Sequence, residues 1–274
     1  MIAPELREQV EEWIDDDVDP AAANELRELL AADDEAELDD RFSAPLAFGT
    51  AGLRGPLRAG PNGMNRAVVR RAAAGLAAWL GGRGAAGRVV VLGYDGRRLS
   101  REFAYDSAAI FAAAGFDARI LPRLLPTPVL AFCVQHLGAA AGVMVTASHN
   151  PPQDNGYKVY AEDGAQIVPP ADREIEASIE AVGSVREIPL AAAQVTVLDD
   201  SVVEAYVSAV AGLVGDGPRE LRIVHTAMHG VGTEVIRKVF AAARFAPPVA
   251  VAEQELPDPD FPTVAFPNPE EPGA

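Results

Sequence analysis

Apolar positions along this chain switch repeatedly between two periods. The stretches 88-RVVVLGYD-95 and 140-AAGVMVT-146 are short, nearly continuous apolar runs, the pattern of buried strands, and 116-FDARIL-121 reads as a further strand between them. Helical spacing lies between them: 100-SREFAYDSAAIFAAAG-115, opened by Ser100, and 128-PVLAFCVQHL-137, capped by Thr127. A further helix, 64-MNRAVVRRAAAGLAAWL-80, precedes the first strand and stops at Gly81-Gly82. Strands alternating with helices predict an α/β fold: a mixed, mostly parallel sheet sandwiched between helices.

The same patterning sets the organisation on either side. Residues 4–40 read as two acidic helices, with Leu6, Val10, Trp13 and Ile14 at helical spacing and Asp19-Pro20 as cap and first position of the second. They are expected to form an N-terminal helical appendage, residues 1–47. The complete α/β domain is expected over 48–198, with a hairpin at 155–168, a helix at 169–183 and an irregular stretch at 184–200. Residues 199–274 then begin a second, similar domain: helix 201–214, strand 221–228, the glycine turn 229-HGVG-232 and helix 233–243. The segment 244–274 holds one short apolar run and many prolines, too little to finish a sheet.

Composition narrows the partners. With 40 acidic against 23 basic side chains in 274 residues, the formal charge of −17 opposes nucleic acid and anionic lipid surfaces, and neither is expected as a partner. A small anionic substrate needs only a local cluster of Arg and Lys. The single cysteine, Cys133, excludes an intrachain disulfide and a cysteine metal cluster. There is no basic, apolar leader and no run near the ~20 apolar residues of a membrane span, so a cytoplasmic setting is expected.

In an open parallel sheet, ligands gather at the carboxyl ends of strands, and three loops qualify or lead into the sheet. In 146-TASHNPP-152 an apolar strand leads straight to Ser148, while Pro151 and Pro152 stiffen the exit. A serine needs a neighbour to take its proton or a cation to stabilise its oxygen, and His149 and Lys158 are the nearest titratable groups. Gly156 admits a close approach of backbone, with Lys158 on the same strand face. The same residues also fit a plain polar surface loop and an exposed strand lysine. The loop 49-GTAGLRG-55 offers glycine N–H groups and the bidentate Arg54 to an anion, or simply joins appendage to domain. Asp95 and Arg97, in 93-GYDGRR-98, end a strand and read as an ion pair with each other. An acyl-transfer serine is disfavoured because no G-x-S-x-G elbow is present.

Together these loops resemble the α-D-phosphohexomutases, the family of phosphoglucomutases and phosphomannomutases. 146-TASHNPPQDNGYKVY-160 resembles its phosphoserine signature, 48-FGTAGLRG-55 its arginine loop, 93-GYDGRRLS-100 its strand-end Asp and Arg segment, and 223-IVHTAMHGVG-232 the opening of its second domain. The long arginine loop and acidic helices point to the branch that includes phosphopentomutases. The resemblance implies a phosphosugar mutase that moves phosphate reversibly between C1 and C6 of a hexose phosphate, through phospho-Ser148 and a bisphosphorylated sugar. It implies proton transfer by His149 or Lys158, charge stabilisation by Arg54, and phosphate binding by Thr50, Gly52, Thr146, Asn150 and Lys158. Mg²⁺, ligated through the Ser148 phosphate, and glucose 1,6-bisphosphate as activator are implied as well. The family's spaced metal aspartates are not found here, and 258-DPD-260, followed by Phe-Pro, reads as a proline-rich loop. The chain is therefore expected to match the N-terminal part of a mutase and to be inactive alone. A phosphopentomutase and a non-catalytic phosphate-binding module remain the alternatives.

Overall fold

Three helices, not two, precede the first strand in the computed structural model, which describes residues 1–270. Helix α1 spans Pro4–Asp16 and α2 Pro20–Ala31, the latter capped as predicted by the Asp19 carboxylate accepting from the Ala21 N–H. The predicted run then breaks: Asp33 turns left-handed at φ 56°, and Asp34 accepts from the Glu37 N–H to start α3, Glu35–Phe42. The missed signal is Asp34 followed three residues later by Glu37, a cap pattern buried inside an acidic run. Val10, Ile14, Leu26 and Leu38 close a small core of their own. Asp16 fastens it to the rest, accepting from the Val185 N–H at 3.0 Å and from Arg71 at 2.8 Å. Burial alone would raise the Asp16 pKa, but these bonds and the one from Ser184 hold it below 3.8.

Six strands form the main sheet: β1 Leu53–Pro56, β2 Val89–Tyr94, β3 Asp117–Ile120, β4 Ala141–Val145, β5 Asp154–Ala161 and β6 Thr196–Val197, in the order β1-β5-β4-β2-β3-β6. Only β5 runs against the others, so the sheet is mixed and mostly parallel. Helices α4 Arg66–Gly82, α5 Ser100–Ala113 and α7 Ala171–Glu180 cover one face, around Phe103, Phe111, Val143 and Tyr157. Helices α6 Thr127–His136 and α8 Ser201–Ala211 cover the other, around Val91, Leu130, Met144 and Val203. Each fully buried side chain of this size contributes about 1.5–3 kcal/mol, so α/β/α layering follows from the near-continuous apolar strands.

Several local expectations change. Part of the stretch read as a glycine loop is the edge strand β1, because its antiparallel partner β5 lies across from it, far away in sequence. The expected hairpin at 155–168 is one long strand closed by a single bridge between Tyr160 and Gln166. The irregular stretch contributes β6, whose two residues pair with β3. Helix α4 starts at Arg66, capped by Asn65, and runs through both glycines to Gly82. Ser100 opens α5 as expected and donates to Asp95 at 2.7 Å, whereas Thr127 is the first residue of α6 and does not cap it. Gly75 lets α4 touch α7, since a Cβ there would lie 2.6 Å from the Ile179 Cα.

After α8 come β7 Val224–His225, α9 Thr233–Ala242 and β8 Val249–Ala250; β7 and β8 pair in parallel. The strand predicted over 221–228 is thus only two residues long, and among the described residues it pairs with β8 alone. Residues 271–274 of the predicted second domain lie outside the described residues. No helix among the described residues is long and apolar enough to cross a membrane.

The α4–α5 packing turns on one half-buried carboxylate. Asp106 accepts from Arg66 through two bonds of 2.8 and 2.9 Å and from Arg70 at 2.8 Å. Burial would raise its pKa, but the two guanidiniums more than reverse this and hold it below 3.8. Asp106→Asn leaves Arg70 buried without its counter-ion and is expected to lose about 3 kcal/mol in urea unfolding at neutral pH. A depressed folded pKa places this stability above pH ~3.8 and removes it as pH falls through the lower folded value. The gap between wild type and variant should therefore close in acid.

Candidate functional site

The parallel pairing of β2 with β4 places two predicted loops side by side. Tyr94 faces Val145 at the strand ends, and the Asp95 N–H continues the ladder to the Val145 carbonyl at 3.1 Å. The segment 95–98 thus leaves the same sheet edge as 146–152, as the carboxyl-end rule requires.

Within the second loop, Thr146 Oγ1 accepts from the Ser148 N–H at 3.0 Å and the Ala147 carbonyl accepts from the Asn150 N–H at 3.1 Å. Ser148 is held at φ 57°, a left-handed conformation that costs a non-glycine residue about 1 kcal/mol or more. It is exposed, and it lines a cleft of about 480 Å³.

Arg97 holds this shape. Its Nη1 donates to the carbonyls of Pro151 at 2.8 Å and Asp154 at 3.1 Å, and its Nη2 to those of Ser148 at 2.8 Å and Asn150 at 2.7 Å. The residue is 5% exposed. Burial pushes its guanidinium below the ordinary arginine value, with Arg54 adding to this while Asp95 and Asp154 oppose it. The expected pairing with Asp95 is a minor part of its role: Asp95 lies 3.7 Å from the Nε and accepts from the Arg97 N–H and the Ser100 hydroxyl. Asn155 completes the junction, donating to the Arg98 carbonyl at 2.8 Å and to Ser100 Oγ at 3.0 Å. The loop itself carried the signal for Arg97. Two prolines without N–H groups and a left-handed residue leave carbonyls that must find donors elsewhere.

Across the edge, Arg54 pairs in register with Gly156, and Lys158 with Met144. Cross-strand neighbours share a face, so Arg54, Lys158 and Met144 all point to the α6 side. Arg54 donates to Asn150 Oδ1 at 2.8 Å, and the Asn150 amide donates to Asp154 at 2.8 Å. Lys158 is half-buried; burial first, then Arg54, pushes its ammonium below 10.5.

The glycines of 49-GTAG-52 do not offer their N–H groups to an anion as expected. The Gly49 and Gly52 N–H groups donate to each other's carbonyls at 3.1 and 2.8 Å, which makes a tight turn. Gly52, at φ 75°, is needed for packing, since a Cβ there would fall 1.8 Å from the Tyr157 carbonyl oxygen. Thr50 is exposed, its carbonyl accepting from Gln166 at 3.1 Å, and His149 is exposed beside Ser148.

The opposite wall comes from the second unit. Residues 226-TAMHG-230 repeat the serine loop's turn: Thr226 Oγ1 accepts from the Met228 N–H at 2.9 Å, and the Ala227 carbonyl from the Gly230 N–H at 2.8 Å. The N-termini of α6 and α9 also border the cleft, and the positive ends of their dipoles favour an anion there. Among the described residues no group of three or more His, Cys, Asp or Glu is placed to hold a metal ion.

If Arg97 is the scaffold of this loop, Arg97→Met should release four carbonyls at once. Unfolding by urea is expected to show a loss of about 3 kcal/mol. The Ser148-containing peptide should become a preferred site of limited proteolysis.

The comparisons agree with this architecture. The family model described as "Phosphoglucomutase/phosphomannomutase, alpha/beta/alpha domain I" matches residues 45–186, and that of "alpha/beta/alpha domain II" matches 204–274. The chain is 52% identical over 217 residues to the "Probable phosphomannomutase" of Haemophilus influenzae, covering 77% of this chain and 44% of that protein. It is 37% identical over 297 residues to the phosphoribomutase of Saccharomyces cerevisiae, covering 100% of this chain and 48% of that protein. A solved phosphoglucomutase/phosphomannomutase family structure from Burkholderia thailandensis shares the fold, with a TM-score of 0.62 at 24% identity over 79% of this chain and 45% of that one. The chain thus spans about half the length of the relatives it matches. With both domain models matched in order along one polypeptide, the chain belongs to the α-D-phosphohexomutase family of phosphoglucomutases and phosphomannomutases.

Proposed function

We propose that the protein is a phosphosugar mutase in which Ser148 carries the transferring phosphoryl group. The observation that supports this most is an exposed serine in a left-handed turn on the cleft rim, its backbone fixed by a buried guanidinium. Phosphoryl transfer depends on positioning and on cations around the moving group, and this arrangement supplies both.

In the forward step, a sugar hydroxyl oxygen attacks phosphorus, the bond from phosphorus to Ser148 Oγ breaks, and the hydroxyl proton leaves to a base. Lys158 and His149 are the acceptors in this reading. Lys158 suits the task because burial and Arg54 both ease loss of its proton. Arg54 faces the developing negative charge, and Asn150 holds Arg54 and the loop in register. After the bisphosphorylated sugar reorients, its other phosphate returns to Ser148 Oγ and the proton returns to the sugar oxygen.

A Mg²⁺ ion would meet the Ser148 phosphate, but the described residues provide no carboxylate cluster to complete its coordination. None of these steps passes through it, and we propose that the 274-residue chain alone does not turn over. Thr50, Thr146 and Gly52 act in this reading by shaping the two loops. A hexose phosphate, exchanged between C1 and C6 with glucose 1,6-bisphosphate as activator, is the first substrate proposed, in line with the phosphomannomutase relative. A pentose phosphate is the second, because the likeness to the yeast phosphoribomutase extends over the whole chain.

Incubation of a mutase-length polypeptide carrying this sequence with glucose 1,6-bisphosphate and Mg²⁺ should add one phosphoryl group, mapped to Ser148 by peptide mass and absent in Ser148→Ala. Phosphate recovered on another residue would overturn the assignment. With such a polypeptide, conversion of glucose 1-phosphate or ribose 1-phosphate distinguishes the two sugars. Its rate should rise with pH as Lys158 becomes neutral, and Lys158→Met should flatten that limb and lower the rate about 100-fold.

A further inference from the structure

The proline-rich stretch after β8 lies against the serine loop's arginine. Phe261, 7% exposed and left-handed at φ 48°, places its ring centroid 4.9 Å from the Arg97 Cζ. Arg98 pairs with Asp260 alongside. On the other side His229 meets the Phe261 ring edge-on, with centroids 6.5 Å apart and planes at 88°. His229 Nε2 lies 2.8 Å from Thr263 Oγ1, which also accepts from Gln254 at 3.0 Å. The ring is thus held from behind by the turn of the second unit.

The Arg97 fork already binds four carbonyls through its Nη atoms, in the plane of the guanidinium. Its flat face remains, and a guanidinium face is weakly hydrated and stacks well on aromatic rings. Within ~6 Å, an aromatic face offsets part of the desolvation of a buried cation, which an aliphatic side chain of equal volume does not.

We propose that Phe261 is a positioning residue for Ser148, acting through Arg97, so that the second unit sets the order of the serine loop. Its functional meaning rests on the reading of Ser148 as the phosphoryl carrier; its test does not.

Hydrogen exchange on the intact chain reads the loop directly through the amides of Thr146, Ser148, Asn150 and Asp154, with the β2 amides as internal control. Phe261→Leu is expected to accelerate loop exchange about tenfold and leave β2 unchanged. Phe261→Tyr, which keeps the aromatic face, should exchange like wild type. In an Arg97→Lys background, Phe261→Leu should add less than about twofold, because lysine lacks the planar face. Unchanged exchange in Phe261→Leu overturns the proposal. So does acceleration by Phe261→Tyr equal to that by leucine, or an undiminished leucine effect with Lys at position 97. Should the β2 amides also exchange faster in Phe261→Leu, Phe261→Met replaces it, with the same tenfold expected and the same result overturning it. Exchange needs no phosphoryl transfer, so a failure here counts against Phe261 and a missing phosphoserine counts against the Ser148 reading.

Discussion

A loop that presents a hydroxyl at a left-handed residue leaves a series of carbonyls without helix or sheet partners, and everything at this site depends on how they are satisfied. Arg97 satisfies four of them with one side chain. A rigid planar fork is suited to this, because the donors keep their mutual geometry when the loop is pulled. A lysine in the same place would offer donors at the end of a flexible stem. The cost is a buried cation, and the partial charges of the carbonyls together with Asp95 and Asp154 offset it. The loop therefore gains its shape from the neighbouring loop after β2 as well as from its own turn bonds.

That dependence explains what the sequence conveyed and what it did not. Strands β2 and β4 are legible because each is buried on both faces and so is apolar, while β3, with Asp117 and Arg119 half-exposed and Ala118 and Ile120 buried, is legible from its place between two helical stretches. Ser148 was legible because loop and strand adjoin in the chain. Strands β1 and β6 were not, since each exists only through pairing with a partner distant in sequence, and two to four residues carry too little pattern to reveal it. The glycines of 49-GTAG-52 misled for a similar reason. Their freedom serves a tight turn pressed against Tyr157, a contact that no local pattern encodes. Arg97 was noticed, but pairing with a carboxylate two residues away was the simplest local explanation. The carbonyls it serves lie more than 50 positions along the chain.

The acidity of the chain is compatible with an anionic substrate on grounds of distance. A formal charge of −17 acts over the whole surface, but salt screens exposed charges beyond ~8 Å. Arg54, Arg97 and Lys158 face one strand edge and are half-buried or buried, where screening is weaker. Asp95 and Asp154 temper this cluster without neutralising it. The local sign of the site is set by the few groups within contact distance, and the net charge governs solubility and long-range approach.

The likeness of the turns at 146–150 and 226–230 separates the scaffold from the chemistry. Both follow a parallel strand, both use a threonine hydroxyl to accept from the N–H two residues on, and both hold their third residue left-handed. One presents serine and the other methionine, so the turn itself confers no reactivity. The loops also differ in what surrounds them. The serine loop has its carbonyls bound by a buried guanidinium and a lysine-bearing strand beside it, whereas the His229 carbonyl accepts from the Asp258 N–H at 3.0 Å in the proline-rich stretch. The same turn thus borders the cleft among cations in the first unit and forms its opposite wall in the second. What sets the first one apart is the cationic environment around it, Arg54 on β1, Arg97 in the loop after β2 and Lys158 on β5.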